Sequence, residues 1–256
     1  IGIRLVYGHK VLYGYTNKIE DTELKRIVRE LATKDRRDPS TQRTNFDYRK
    51  ISEAHPAKKP LSKDPRIESK IAFLRSADQN ARAASNIISQ TSGSCMQREQ
   101  KIAIFNSEGL HTDDTRHYIR SSLTAYASDG IEQATGSSND GGLKGWEIED
   151  EIDAEKTGDE AARQALVNLS AKACPSGRMP VVLGNGFGGV IFHEACGHLL
   201  ETTAVAKKAS VFHDQMGEMI ANPLVNAVDD GTLPNEGGSI NIDDEGLTTK
   251  KTQLIK

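Results

Sequence analysis

One stretch of the chain concentrates the residue types that do chemistry: Gly186-Phe187-Gly188-Gly189-Val190-Ile191-Phe192-His193-Glu194-Ala195-Cys196-Gly197-His198-Leu199-Leu200-Glu201. Two histidines flank a glutamate on a predicted helix, behind a run of apolar residues. Imidazole nitrogens and carboxylate oxygens are ligands that suit Zn²⁺. In the usual H-E-x-x-H arrangement the histidines sit at i and i+4 on one helical face, and the glutamate activates the water on the metal. Here the spacing is H-E-x-x-x-H. At 3.6 residues per turn, His198 falls about 140° around an ideal α-helix from His193. Rings so placed cannot both reach one zinc at ~2.0–2.1 Å unless the backbone leaves α geometry. A one-residue π-bulge, or a helix ending between Ala195 and His198, brings them together, and Gly197 stands where such a departure is easiest. The spacing therefore describes a metal site with a required distortion. The competing reading is a pair of histidines that are merely surface polar groups or satisfied core ones.

The neighbouring candidates are weaker. Glu201 either accepts a hydrogen bond from a ligand histidine or is an ordinary helix-surface carboxylate, and the sequence leaves both open. The glycine-rich lead-in lacks the Lys-Ser/Thr ending of a phosphate loop and the full G-x-G-x-x-G pattern. Cys196 reads as a small buried hydrophobe, and Cys95 and Cys174 carry no motif. His213 and Glu218 are auxiliary ligand candidates only. Asp229-Asp230-Gly231 and Asp243-Asp244-Glu245-Gly246 lack the spacing of a Ca²⁺ loop and read as turns between strands. Arg36-Arg37 and Lys58-Lys59 read as solvated basic pairs.

The elements that must position the motif mix strand blocks and helices, which indicates an α+β fold. Alternation over Ile3, Leu5 and Tyr7, a turn at Gly8-His9-Lys10 and a return over Val11–Tyr15 predict a hairpin. Leu24, Ile27, Val28 and Leu31 follow at helical spacing. Residues 34–65 read as a long loop, extended around Thr44–Tyr48. Asp64-Pro65 opens a helix with Ile67, Ile71, Leu74, Ala77 and Ala81 on its apolar face. Three or four antiparallel strands are expected between Asn86 and Gly136, then a surface loop over Gly136–Gly145. A helix from Asp153 to Ala173, with Ala161, Ala165, Leu166 and Leu169 inward, ends at Pro175-Ser176-Gly177. Met179–Leu183 reads as a buried strand, and short strands at Ala227–Asp229, Ser239–Ile242 and Gln253–Ile255 complete the chain.

Composition removes several classes. Of 256 residues 36% are hydrophobic and 27% charged, with a net charge of −3, so a surface built to coat nucleic acid is not expected. The longest apolar runs, Met179–Leu183 and Val190–Phe192, fall far short of the ~18 residues of a spanning helix. Three cysteines are too few for a disulfide scaffold and fit a reducing compartment. Ile1–Tyr7 has no secretory leader character. It begins without Met inside a predicted strand, so the gene product is expected to start upstream.

The motif segment resembles the TldD/PmbA family of metallopeptidases, in its TldD branch. The resemblance rests on Met179-Pro180-Val181-Val182-Leu183, Gly188-Gly189-Val190 and the block His193-Glu194-Ala195-x-Gly197-His198-x-Leu200-Glu201. It extends to Ile1–Asn17, Ala161–Leu166, Ser210-Val211-Phe212, Gly217-Glu218, Val228–Thr232 and Ile242–Gly246. It implies that His193 and His198 are zinc ligands and that Glu194 is the general base acting on a zinc-bound water. It implies a third ligand, a cysteine in the C-terminal domain beyond Lys256. It implies an N-terminal α/β layer of antiparallel strands and helices over 1–175, with an upstream part missing. A largely β C-terminal domain carrying the motif helix then starts at 176 and is truncated at 256. The implied activity is ATP-independent hydrolysis of unfolded or leader peptides in the cytoplasm. The implied assembly is a homologous TldE/PmbA-type subunit or a self-dimer, with no membrane and no direct nucleic-acid partner. The alternative within the resemblance is a non-catalytic partner subunit or a modulator of DNA gyrase.

Overall fold

Alternating side chains build the first hairpin: β1 (Gly2–Tyr7) pairs antiparallel with β2 (Lys10–Tyr15), from Gly2↔Tyr15 to Tyr7↔Lys10. Gly8 closes it at φ +62°, a left-handed conformation that favours glycine. Helix α1 (Asp21–Ala32) carries acidic residues in its first turn and buries Ile27. Arg26 bridges Glu23 and Glu30 along its surface at 2.8 and 2.7 Å. At Gly14 a Cβ would lie 2.8 Å from Ile27 Cγ2, so a side chain there would hold the helix off the hairpin. The structure, a computed structural model, describes residues 1–37, 45–51, 55–61 and 66–256. They form two units: Ile1–Asn45 with Ser107–Gly109, and Phe46–Asn106 with Leu110–Lys256.

The second unit is organised by one long ribbon. β4 (Ile88–Phe105) and β5 (Leu110–Ser128) pair antiparallel from Ile88↔Ala127 to Phe105↔His111, with a single irregularity between Ile88 and Gln90. β3 (Asp47–Tyr48) runs parallel to β5 at Leu110 and His111. β6 (Gln133–Leu143) pairs antiparallel with β5 from Ser128↔Gln133 to Tyr118↔Leu143. Helices α2 (Ile67–Ala84) and α4 (Ala154–Leu169) pack against this sheet, with the short α3 (Ile148–Glu151) before α4. Ala77 and Ala81 of α2, and Ala161, Ala162 and Ala165 of α4, share a core with Ile88, Leu123, Ala125 and Ala127. Small residues bring the backbones close: a Cβ on Gly158 would sit 2.3 Å from the Ala77 carbonyl oxygen. Asp153 caps α4, its carboxylate accepting from Glu155 N and Lys156 N at 2.9 and 3.3 Å.

The architecture is α+β, as the mixed pattern predicted, but several boundaries moved. The segment expected to be a surface loop over 136–145 is mostly strand β6. Its glycines serve close approach rather than turning. A Cβ on Gly136 would meet Ala165 N at 2.2 Å, and one on Gly141 would meet the Ile119 carbonyl at 2.4 Å. α4 ends at Leu169 rather than Ala173, the Ser170 N–H closing on the Leu166 carbonyl. The expected strand Met179–Leu183 is irregular and exposed, with Val182 97% accessible. No strand among the described residues pairs with it, and apolar composition alone does not make a strand. Ser239–Ile242 is likewise no strand and makes only an isolated bridge, Ile242↔Thr248. Asp64-Pro65 lies outside the described residues, as does Thr44. No helix of the described residues is long and apolar enough to cross a membrane.

A buried polar network ties the chain after residue 230 to the sheet. Asn241 Nδ2 donates to Asp114 Oδ1 at 2.9 Å, and Arg116 donates to the Ile242 carbonyl at 2.7 Å. The Asn241 Oδ1 accepts from His55 N, and the His55 ring contacts the Gly231 carbonyl and Asn235 N. Asn235 and Leu143 exchange two further bonds. β7 (Ala227–Asp230) and β8 (Lys251–Ile255) pair antiparallel alongside it.

Candidate metal centre

The chain enters the motif through Asn185 in an extended conformation and Gly186 at φ +76°. It then winds without interruption through four helical pieces: a 3₁₀ turn at Gly186–Gly188, α5 (Gly189–Phe192), a π-turn at His193–Gly197 and a 3₁₀ turn at His198–Leu200. In the π-turn the His198 N–H reaches back to the carbonyl of His193, five residues earlier. One extra residue in the turn sets i+5 over i, which is the distortion the H-E-x-x-x-H spacing demanded. The two imidazoles consequently stand 4.4 Å apart between ring centroids, at 66° to each other. Gly197 is ordinary helix at φ −56° and ψ −52°, so the π-turn does not need a glycine's backbone freedom. A Cβ there would stand at ordinary van der Waals distance, 3.4 Å, from His193 Nδ1. Glu201 breaks the run at φ −62°, ψ 134° and opens α6 (Thr202–Ala206).

His193, Glu194 and His198 each offer a ligand atom, and these atoms all lie within 4.8 Å of one another, the only such His/Cys/Asp/Glu group among the described residues. Glu194 Oε2 is 3.8 Å from His198 Nε2, and Glu201 Oε1 is 2.7 Å from His198 Nδ1. The hydrogen bond to Glu201, with the charges of Glu201 and Glu194 behind it, outweighs desolvation and raises the His198 pKa above its ordinary value. All of these side chains are at least half exposed, so the charges act through a high dielectric and the raised pKa says little about stability. The donor set, two imidazoles beside one carboxylate, fits a zinc ion by ligand type.

The other candidates lie elsewhere. Cys196 is half-buried within the π-turn and outside the donor group. His213 Nδ1 contacts the Ser210 carbonyl at 3.0 Å, and neither it nor Glu218 joins the donors. Cys95 meets Ser121 Oγ at 3.4 Å, and Cys174 is exposed. Of the acidic runs, Asp229 and Asp230 end strand β7, with Asp230 Oδ1 accepting from Thr232 N in the turn that follows, and 243–246 is a turn in which Asp243 Oδ1 accepts from Glu245 N and Leu247 N. The basic pairs are exposed, as expected, and one member of each makes a surface ion pair. Arg37 pairs with Asp35 at 2.8 Å and lies over the Tyr7 ring, and Lys59 pairs with Asp150. The sequence reading passed over Glu147, whose carboxylate accepts from the backbone N–H groups of Lys58, Lys59 and Gly145. No local pattern marks a carboxylate whose partners lie 88 and 89 positions away.

A helical His-Glu-His group on an α+β scaffold is a donor set of the kind metallopeptidases use, and the comparisons with known proteins place the chain in a metallopeptidase family. Residues 60–169 match the family model for the PmbA/TldA metallopeptidase central domain, and residues 176–256 match the model for its C-terminal domain. The chain is 34% identical over 267 aligned positions to the metalloprotease TldD homolog of Haemophilus influenzae, covering all of this chain and 54% of that protein. It is 30% identical to the metalloprotease TldD homolog of Buchnera aphidicola, with the same coverage. Among solved structures it is similar in fold to a protein described as a modulator of DNA gyrase from Thermotoga maritima. That similarity has a TM-score of 0.76 at 21% identity, over 100% of this chain and 57% of the other. TldE of Thermococcus kodakarensis gives a TM-score of 0.68 at 16% identity, over 99% of this chain and 57% of the other. The chain belongs to the TldD/PmbA family of metallopeptidases and spans about half the length of the curated relatives it matches.

Proposed function

We propose that the chain carries the zinc-binding motif of a TldD-like peptidase that hydrolyses unfolded or leader peptides. The observation that carries this reading is the π-turn, which brings the His193 and His198 rings together edge-on, 4.4 Å between centroids, with Glu194 beside them. His193 and His198 would hold the ion through ring nitrogens, with a cysteine of the full-length protein completing the set. Zinc bound there supplies Lewis acidity to a peptide carbonyl and lowers the pKa of water towards ~7. Glu194 takes the proton from the attacking water and returns it to the leaving amine, the role for which an adjacent carboxylate is suited. The fold similarity to TldE supports assembly with a homologous TldE/PmbA-type subunit, with a self-dimer as the other arrangement, in the cytoplasm.

The test pairs two variants of the full-length protein. Glu194→Gln should abolish chelator-sensitive cleavage of a casein-like unfolded substrate while zinc content is retained, and His193→Ala should lose zinc. Cleavage by Glu194→Gln at the wild-type rate would remove Glu194 as the base. Bound zinc with no cleavage by the wild type would favour a non-catalytic binding subunit.

A further inference from the structure

We propose that Glu201 is the positioning residue for His198, holding the ring through Nδ1 so that Nε2 faces the metal position. The inference rests on the zinc-site reading and deepens it. Glu201 Oε1 lies 2.7 Å from His198 Nδ1, a short, charge-assisted contact. An ionised carboxylate can only accept, so Nδ1 must carry the hydrogen, and in the neutral ring the free lone pair then resides on Nε2. That nitrogen is the one turned towards Glu194 Oε2, at 3.8 Å and so outside hydrogen-bonding distance. The two acidic groups therefore do not compete: one fixes the tautomer from behind, and the other stands on the side where an ion would sit.

The local backbone explains why Glu201 is free for this task. Its carbonyl accepts from Ala204 N and Val205 N, both at 3.0 Å, and so starts α6. Its side chain makes no capping bond to that helix. The turn to φ −62°, ψ 134° at Glu201 ends the helical run and sends the carboxylate back over the preceding 3₁₀ turn. Both side chains are about half exposed, where a lone ion pair adds little stability. What the contact supplies is orientation of an otherwise rotatable ring, a partner whose loss weakens metal affinity about 10–100-fold in comparable sites.

The experiment measures zinc affinity of the full-length protein by competition with a chromophoric chelator, together with the His198 ring tautomer from ¹⁵N shifts of the metal-free protein. Glu201→Ala should bind zinc about 10–100-fold more weakly and lose the Nδ1–H preference, with unchanged far-UV circular dichroism. Glu201→Gln keeps an acceptor oxygen and should recover part of both. Zinc affinity and tautomer in Glu201→Ala equal to wild type, with His193→Ala losing the metal, would overturn the role of Glu201 alone. Zinc retained by His193→Ala would overturn the metal-site reading and this role with it.

Discussion

Deleting Cys196 tests whether the π-turn is what assembles the site. On an α-cylinder of radius ~2.3 Å and rise ~1.5 Å per residue, Cα atoms at i and i+5 lie about 8.7 Å apart on faces about 140° apart. At i and i+4 they lie about 6.2 Å apart, only about 40° from alignment. The π-turn over His193–Gly197 cancels the difference and brings the ring centroids to 4.4 Å. Removing Cys196 leaves His193-Glu194-Ala195-Gly197-His198, and a plain α-turn then places His198 over His193. One residue fewer in a turn that holds one too many preserves the phase of the flanking helix and the spacing from His198 to Glu201. The deletion variant should therefore bind zinc within about tenfold of wild type, a difference of about 1.4 kcal/mol or less. An alanine inserted after Ala195 separates the rings again and should weaken binding at least about 100-fold, or about 2.7 kcal/mol. Chelator competition on folded protein reads both. A deletion variant that keeps its circular dichroism yet loses zinc by about 100-fold or more would refute the geometric argument.

Other expectations follow from the scaffold. Glu147→Ala leaves the N–H groups of Lys58, Lys59 and Gly145 without their acceptor, at a cost of about 1–3 kcal/mol for each donor that water does not reach, read as a lower urea midpoint. Burial raises the Glu147 pKa, but the donated N–H bonds outweigh it and the net shift is below 4.5. Its contribution is therefore present above pH about 4.5 and lost as pH falls through the depressed value. Urea midpoints for Glu147→Gln should accordingly fall less between pH 6 and pH 3 than those of the wild type, and an identical decline would remove this account. Gly158→Val forces a side chain into the 2.3 Å gap before the Ala77 carbonyl; calorimetry should show a loss of at least about 3 kcal/mol or no folded protein. Asn241→Ala removes bonds to Asp114 and His55 N and should cost about 1–3 kcal/mol; a neutral melting temperature would show that the network does not hold residues 231–249 to the sheet.

Much of the site was legible because its geometry is local. The His-Glu-His spacing calls for a departure from α geometry if both histidines are to reach one ion, and the structure has a π-turn at His193–Gly197, one of the two departures the spacing allows. The first hairpin and α1 were legible for a similar reason, since periods of two and 3.6 are properties of short windows. Glycine misled the reading at 136–145, because the same residue marks a turn and a point where two backbones nearly touch, and only the fold reveals that Ala165 lies opposite Gly136. Met179–Leu183 misled it because apolar character does not name a pairing partner. The Asn241–Asp114 bond joins positions 127 apart, and nothing in a single sequence marks such a pair. Glu201 sits between these cases: its spacing from His198 permitted a contact, and the break in helix geometry at Glu201 made it.

The segment from 171 to 226 is anchored at both ends, by α4 before it and by β7 after it, yet Ser210 is its one buried residue. In this chain, the segment's amides should exchange more readily than those of the sheet and its two helices. An ion seated between His193 and His198 would protect the amides of the π-turn without raising the melting temperature of the rest. Part of the affinity would then be folding free energy of this one segment. How tightly the histidines hold an ion would depend on how much ordering the ion must supply, and anything that packs against the exposed face of Val182 and Phe187 would raise that affinity without touching a ligand.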